Sequence, residues 1–144
     1  GKPTTKNRQQ TTIKWHDIAL PFIAGFSYGT AEALKWHYHS GFKRRFPQAN
    51  DQFWSPELSW PNKYKNRDPL QGPAHFGATS FLAWTRDGYH LAQMGGRQPL
   101  ILKAAITIGQ PFNWRQFIVT TLVVFGSHSA GFHASYTFLF TTKP

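Results

Sequence analysis

The chain has 144 residues, and its 16 lysines and arginines against 6 aspartates and glutamates give a formal net charge of +10. This length fits a single domain, and the absence of cysteine excludes disulfide frameworks and cysteine-ligated metal centres. Aromatic residues make up 17% of the chain, which is too much apolar area for a disordered protein.

The charge is unevenly distributed along the chain, so the mean hydropathy of −0.44 averages two different kinds of segment. Residues 1–14 form a polar, basic tail. Four later stretches contain no lysine, arginine, aspartate or glutamate, namely Ile18–Ala31, Pro69–Thr85, Ala104–Trp114 and Gln116–Thr142. Charge confined to the flanks of apolar stretches is typical of a membrane protein.

Residues 15–39 are predicted to form the first helix. Trp15 and Trp36 lie near the two ends of its apolar middle, which is the pattern of aromatic residues at membrane interfaces. Gly25 and Gly29 have the spacing that lets another helix approach closely, so we expect them to contact lipid or a partner.

Residues 40–74 are predicted to form an extramembrane loop, because five prolines interrupt any long helix there. Aromatic and basic side chains alternate in this loop, as they do in proteins that bind single-stranded nucleic acid. A compact cap that contacts lipid headgroups or a partner fits the few basic residues better, so we do not expect nucleic-acid binding. The expected contact residues are Trp54, Trp60, Lys63, Tyr64, Lys65 and Arg67.

Residues 75–110 are predicted to form a helical region, and residues 114–141 the last helix. The uncharged run from Phe117 to Phe140 would extend about 36 Å as a helix, which exceeds the roughly 30 Å of a bilayer core. The same run is rich in β-branched and aromatic residues, so a soluble mixed or β-rich domain is the alternative. We predict an all-α integral membrane bundle with three or four membrane-embedded helices.

The loop also carries a resemblance. Its FW-x-P and SW-x-NKYKN segments, followed by GP and T-x-DG-aromatic-H, resemble a family of small multi-pass membrane proteins of Bacteroidetes-type bacteria and their phages. The similarity covers residues 25–95, and Arg97–Lys103 is more polar than that family leads us to expect. The resemblance implies a membrane protein, and it implies no particular activity. The matching residues are Phe53, Trp54, Pro56, Ser59, Trp60, Asn62, Lys63, Tyr64, Lys65, Asn66, Gly72, Pro73, Thr85, Asp87, Gly88, Tyr89 and His90, with Gly29, Glu32, Leu34, Trp36 and His37 upstream.

Ionisable side chains within membrane helices are costly, so they mark candidate sites. Asp87 and His90 are three residues apart and would be neighbours on a helix surface. A zinc or iron site built from Asp87, His90, His128 and His133, with Glu32 or His37 added, could activate a water against a lipid ester or amide. The competing interpretation is that these side chains hydrogen-bond between helices and specify packing.

These observations lead to one main functional expectation. We expect a structural or accessory subunit of a larger membrane assembly, located in the bacterial inner membrane and in contact with other membrane subunits and anionic lipid. A non-catalytic role is favoured over an enzymatic one because no strong active-site motif is present. The alternatives are the metal-dependent lipid-acting enzyme and a virion or nucleic-acid-binding protein that uses the aromatic and basic loop.

Overall fold

The computed structural model describes Gly1 and residues 10–142. Residues 2–9, most of the predicted basic tail, and residues 143–144 lie outside the described residues. The α-helices are α1 (Trp15–Trp36), α2 (Lys43–Arg45), α3 (Asp51–Trp54), α4 (Pro56–Ser59), α5 (Gly88–Thr107) and α6 (Trp114–His133). Shorter 3₁₀ turns cover Trp60–Lys63, Lys65–Arg67, Pro69–Gln71 and Ala83–Thr85, and π-helical turns cover Tyr38–Phe42 and Ala134–Thr141.

The part of the chain that the structure describes is all-helical and contains no β-strand, which confirms the predicted all-α class. The only pairing of the β type within it is an isolated bridge between Tyr64 and Pro73. The β-rich alternative that rested on Phe117–Phe140 is therefore wrong, since that segment lies in α6 and the π-helical turns after it. A helix satisfies its own backbone hydrogen bonds, whereas two apolar strands would need further strands beside them.

Helix α1 is the central helix of the bundle. It packs against both α5 and α6, which make little direct contact with each other. A Cβ atom added at Gly25 would collide with the His128 carbonyl, and one at Gly131 would collide with the Phe22 carbonyl. The close-approach spacing of Gly25 and Gly29 is thus used inside the chain, against α6, and these two glycines are buried rather than open to a partner.

The helix predicted within residues 75–110 is shorter than expected at its start. Helix α5 begins at Gly88, because the Asp87 side chain caps its first turn by accepting a hydrogen bond from the His90 backbone N–H. The predicted first helix, 15–39, ends as an α-helix at Trp36 and continues as π-helical turns after His37.

One helix in the described part of the chain is long and apolar enough to cross a membrane. It runs from Trp114 to Thr141, and its most apolar stretch of 18 residues has a mean hydropathy of 1.3. Only 6% of that stretch is buried within the protein. Helices α1 and α5 have 22 and 20 residues but lower hydropathy, so the predicted three or four membrane-embedded helices are not confirmed.

Candidate functional site

The segment between α1 and α5, residues 38–87, folds into a compact unit that we call the loop cap. The Trp54 ring of the cap lies against Gly88, so closely that a Cβ atom there would overlap the indole. The Asn62 amide donates hydrogen bonds to the Gln52 and Arg86 carbonyls at 2.6 and 3.1 Å. The tryptophan- and asparagine-containing motifs of the loop therefore dock onto the first turn of α5.

This docking places the cap beside a pair formed by Asp87 and His90. The Asp87 residue is 2% exposed, and its carboxylate lies 2.7 Å from the His90 Nδ1. The same carboxylate accepts the His90 backbone N–H at 2.8 Å, so the backbone and the ring of His90 are held by one group. Because a carboxylate only accepts, Nδ1 is assigned as the donor, and in the neutral imidazole Nε2 is then the lone-pair nitrogen.

An imidazole oriented in this way can act as a general base or as a ligand to a metal ion. The other predicted ligands have different partners. Glu32 accepts a hydrogen bond from the Trp36 indole at 3.1 Å, and the His37 Nε2 lies 3.0 Å from the Tyr136 hydroxyl. The first contact links neighbouring turns of α1, and the second joins the end of α1 to the last helix, so both are contacts that stabilise packing.

The two histidines of α6 also have local partners. The His128 ring lies beside Tyr28 of α1, with 6.4 Å between ring centroids, and the His133 Nδ1 is 2.8 Å from the Thr137 hydroxyl. Nowhere in the described residues do three or more histidine, aspartate or glutamate side chains converge on a point that could hold one ion. Of the predicted set, Asp87 and His90 are the pair that the structure brings together, and the metal site stays a prediction.

A second polar cluster connects Tyr38, at the start of the cap, with Lys43 of α2 and Asp51 of α3. The Tyr38 hydroxyl donates to Asp51 Oδ1 at 2.5 Å, and the Lys43 ammonium lies 2.8 Å from the same oxygen. The hydrogen bond from Lys43, followed by that from Tyr38, lowers the pKa of Asp51. Burial, and then the Asp51 carboxylate, raises the pKa of Tyr38. No local sequence pattern predicts this cluster, because no motif links its three residues.

The residues predicted to contact lipid or a partner divide into two groups. Trp54 packs inside the cap on the Phe42 ring at 5.1 Å, and Arg67 donates to the Leu58 carbonyl at 2.7 Å. Trp60 is 51% exposed. Three neighbours are also at least partly accessible to solvent, namely Lys63, Tyr64 and Lys65.

A buried ion pair lies at the opposite end of the bundle, which we call the hairpin end because α5 and α6 are joined there. The Lys103 ammonium is 2.6 Å from Asp17 Oδ1, and the two side chains are 11% and 4% exposed. The backbone N–H of Lys14 donates to Asp17 Oδ2 at 2.8 Å, which holds the carboxylate at the start of α1. In the sequence, Lys103 is notable only as a residue that makes its helix polar.

No protein-family model, no curated protein and no solved structure matches this chain, so its function has to be inferred from the geometry of its own residues.

Proposed function

We propose that this chain is a small helical membrane protein that serves as an accessory subunit of a larger membrane assembly. The observation that carries the proposal is a band of exposed apolar side chains around the hairpin half of the bundle, on all three long helices. We call it the apolar band, and it consists of Trp15, Ile18, Phe22, Ile23 and Phe26 on α1, Ile101, Leu102 and Ile106 on α5, and Trp114, Phe117, Ile118, Leu122 and Phe125 on α6.

The charges near this band support a lipid environment. The two buried charges there, Asp17 and Lys103, contact each other at 2.6 Å and neutralise each other, whereas Lys14 beside them is exposed. Charged groups at membrane depth are tolerated when they are paired and face the interior of the bundle. Monomeric soluble proteins rarely expose a contiguous apolar surface on several neighbouring helices.

The lengths of the helices agree with this placement. Helices α1 and α5 have 22 and 20 residues, which correspond to about 30 Å or slightly more at 1.5 Å per residue. Hydroxyl groups on the helices bond back to their own backbone, as Thr30 does to the Phe26 carbonyl and Thr121 does to the Phe117 carbonyl. Such internal satisfaction removes the cost of polar atoms in hydrocarbon.

The accessory role is inferred from the loop cap. Leu70 and Phe76 are 95% and 85% exposed, and the Phe76 ring contacts that of Phe81 at 5.8 Å. Apolar side chains that are this exposed on a small ordered unit are expected where a partner protein covers them. The exposed basic residues Lys65 and Arg67 nearby would pair with an acidic partner or with anionic headgroups.

The experiment has two arms. Membranes that contain the full chain are washed with high salt and then with alkaline carbonate, and the protein is expected to stay with the lipid through both washes. Release by salt alone would contradict membrane embedding. Solubilised in mild detergent, the protein is expected to migrate with a stoichiometric partner, and Phe76→Ser is expected to lose that partner while remaining membrane-bound. Thr79→Ser, an exposed change in the same segment, is the control.

A further inference from the structure

A cavity of about 580 Å³ lies between α5 and α6 at the hairpin end, next to the first turn of α1. This volume falls within the range of small-molecule sites. The chain leading into α1 closes one side, because the Gln116 amide pairs with the Thr12 backbone in both directions, at 3.0 and 2.9 Å. The cavity therefore has a fixed wall that depends on residues far apart in the sequence.

The polar end of the cavity contains hydrogen-bond donors that the protein does not use. An ammonium group has three N–H donors, and that of Lys103 bonds Asp17 Oδ1 at 2.6 Å and the Thr107 hydroxyl at 3.2 Å. Its third donor has no partner among the described residues. Lys14, an exposed residue that also lines the cavity, has no side-chain hydrogen bond or ion pair with another residue of 10–142.

His16 adds a buried, unsatisfied nitrogen to this end. Its side chain is 12% exposed, and the Nδ1 atom has no hydrogen-bond partner in the described part of the chain. The Asp17 carboxylate is 3.5 Å away, which is too long for a hydrogen bond. An unpaired buried polar atom costs free energy, so with the proton on Nδ1 a bound acceptor here would relieve that cost. Two ammonium groups against one carboxylate also leave this end positive, which selects an anion.

The rest of the cavity wall combines apolar side chains with the polar Thr107, Gln110, Thr120 and Thr121. Its apolar members include Leu100 and Ala104 of α5 and Phe117 and Val124 of α6. Along α6 the wall runs from Asn113 to Val124, which is about 16 Å at 1.5 Å per residue. A cavity that has apolar side chains along α5 and α6 and cationic donors at one end matches a molecule with one charged head and a hydrocarbon chain.

We propose that this cavity binds a single anionic amphiphile, with its carboxylate or phosphate head at Lys14, His16 and Lys103 and its chain between α5 and α6. A free fatty acid and an anionic phospholipid share this chemistry. The inference goes beyond the accessory role and holds whether or not the hairpin half lies in a bilayer, because the site is formed within one chain.

The test uses the full chain, purified in a neutral detergent and examined by native mass spectrometry with four added probes. These are oleate, oleyl alcohol, dioleoyl phosphatidylglycerol and dioleoyl phosphatidylcholine. We expect one molecule of oleate or phosphatidylglycerol per chain, and weaker binding of the neutral alcohol and of the zwitterionic lipid. Binding of oleate alone would identify a fatty-acid site, and binding of phosphatidylglycerol alone a phospholipid site. Equal binding of oleate and oleyl alcohol, or no binding of either anion, would overturn the proposal.

Two variants connect the binding to the cavity. Ala104→Trp fills the cavity without touching its charges, and Ala105→Trp, an exposed neighbour outside the wall, is the matched control. We expect Ala104→Trp to weaken oleate binding by at least about tenfold and the control to leave it unchanged. Lys14→Ala should weaken oleate binding several-fold, which corresponds roughly to the loss of one hydrogen bond to a charged group. The same variant should bind oleyl alcohol as the wild type does. Indistinguishable affinities for the two tryptophan variants would place any bound anion outside this cavity.

Discussion

Gly25 of α1 lies directly against the His128 backbone of α6, with no space for a Cβ atom between the two backbones. Gly131 has the same relation to the Phe22 carbonyl on the other side of the crossing. Contact between backbones maximises van der Waals packing in a bundle that buries few large side chains. The α1–α6 crossing is therefore the packing contact on which the helical arrangement depends most.

Gly131→Leu is expected to destabilise the protein by about 2–3 kcal/mol, because the new side chain can be accommodated only by moving one helix away from the other. Unfolding in mild detergent, driven by added denaturing detergent and followed by circular dichroism, measures the loss. The matched control is Gly126→Ala on the same helix, where an added Cβ meets no other atom within 4 Å. The control should be neutral or stabilising by up to about 1 kcal/mol, as for any exposed helical glycine. Equal losses in both variants would show that the crossing is not tightly packed.

The second prediction concerns the start of α5. Asp87→Ala removes both the cap of the helix and the partner of the His90 ring, and should cost about 1–2 kcal/mol of unfolding free energy. Asp87→Asn retains a capping side chain and should cost less. His90→Ala keeps the cap and loses only the ring contact, so it should also cost less than Asp87→Ala. A larger loss for His90→Ala would mean that the imidazole, rather than the cap, holds this turn.

How much of this fold the sequence predicts can be judged from individual residues. The uncharged apolar run predicts the last helix over 114–141, and α6 with its π-helical turns covers that range, because a helix satisfies its backbone hydrogen bonds within the segment itself. The spacing of Asp87 and His90 predicted their contact. It did not predict that Asp87 stands outside the helix as its cap, since a capping residue and a first-turn residue have the same i, i+3 relation to His90.

Contacts between distant parts of the chain were not predictable. The pair of Asp17 and Lys103 depends on the packing of α5 against α1, and no local pattern links the two residues. The pairing of Gln116 with the Thr12 backbone is equally non-local. The cavity of the hairpin end is assembled from these contacts, so a single sequence that shows only local periodicity contains no sign of it.

A pH dependence is expected from the Tyr38–Asp51–Lys43 cluster. The pKa of Asp51 is lowered in the folded protein, so its contribution to stability is present above the ordinary value of 3.8 and lost as the pH falls below it. The pKa of Tyr38 is raised, so its contribution is present below the ordinary value of 10.0 and lost as the pH rises above it. The stability of the cap should therefore be greatest between these limits and fall on both sides.

Tyr38→Phe separates the two effects. It removes the hydroxyl that titrates at high pH but leaves the contact between Lys43 and Asp51, so the alkaline loss should shrink, while the part of the acid loss that comes from Lys43 remains. The unfolding free energy of the wild type and the variant, measured between about pH 3 and pH 11, tests this. Unchanged alkaline behaviour in Tyr38→Phe would assign the loss to the lysine instead.

The last prediction concerns the C-terminal end of the final helix, which two arginines of the cap hold. Arg45 Nε donates to the Leu139 carbonyl at 2.8 Å, and Arg44 Nη2 donates to the Thr142 carbonyl at 3.0 Å. The last carbonyls of a helix lack internal partners, and cations are stabilising there because they oppose the helix dipole. Arg45→Met should therefore loosen residues 139–142 and speed their amide hydrogen exchange by up to about tenfold, with little effect on the α1–α6 crossing.

Lys65→Met removes one charge from the exposed surface of the same cap and should leave that exchange unchanged. Equal exchange in the two variants would mean that apolar packing, such as that of Phe140 on Phe42 at 5.5 Å between ring centroids, holds the end without the arginine.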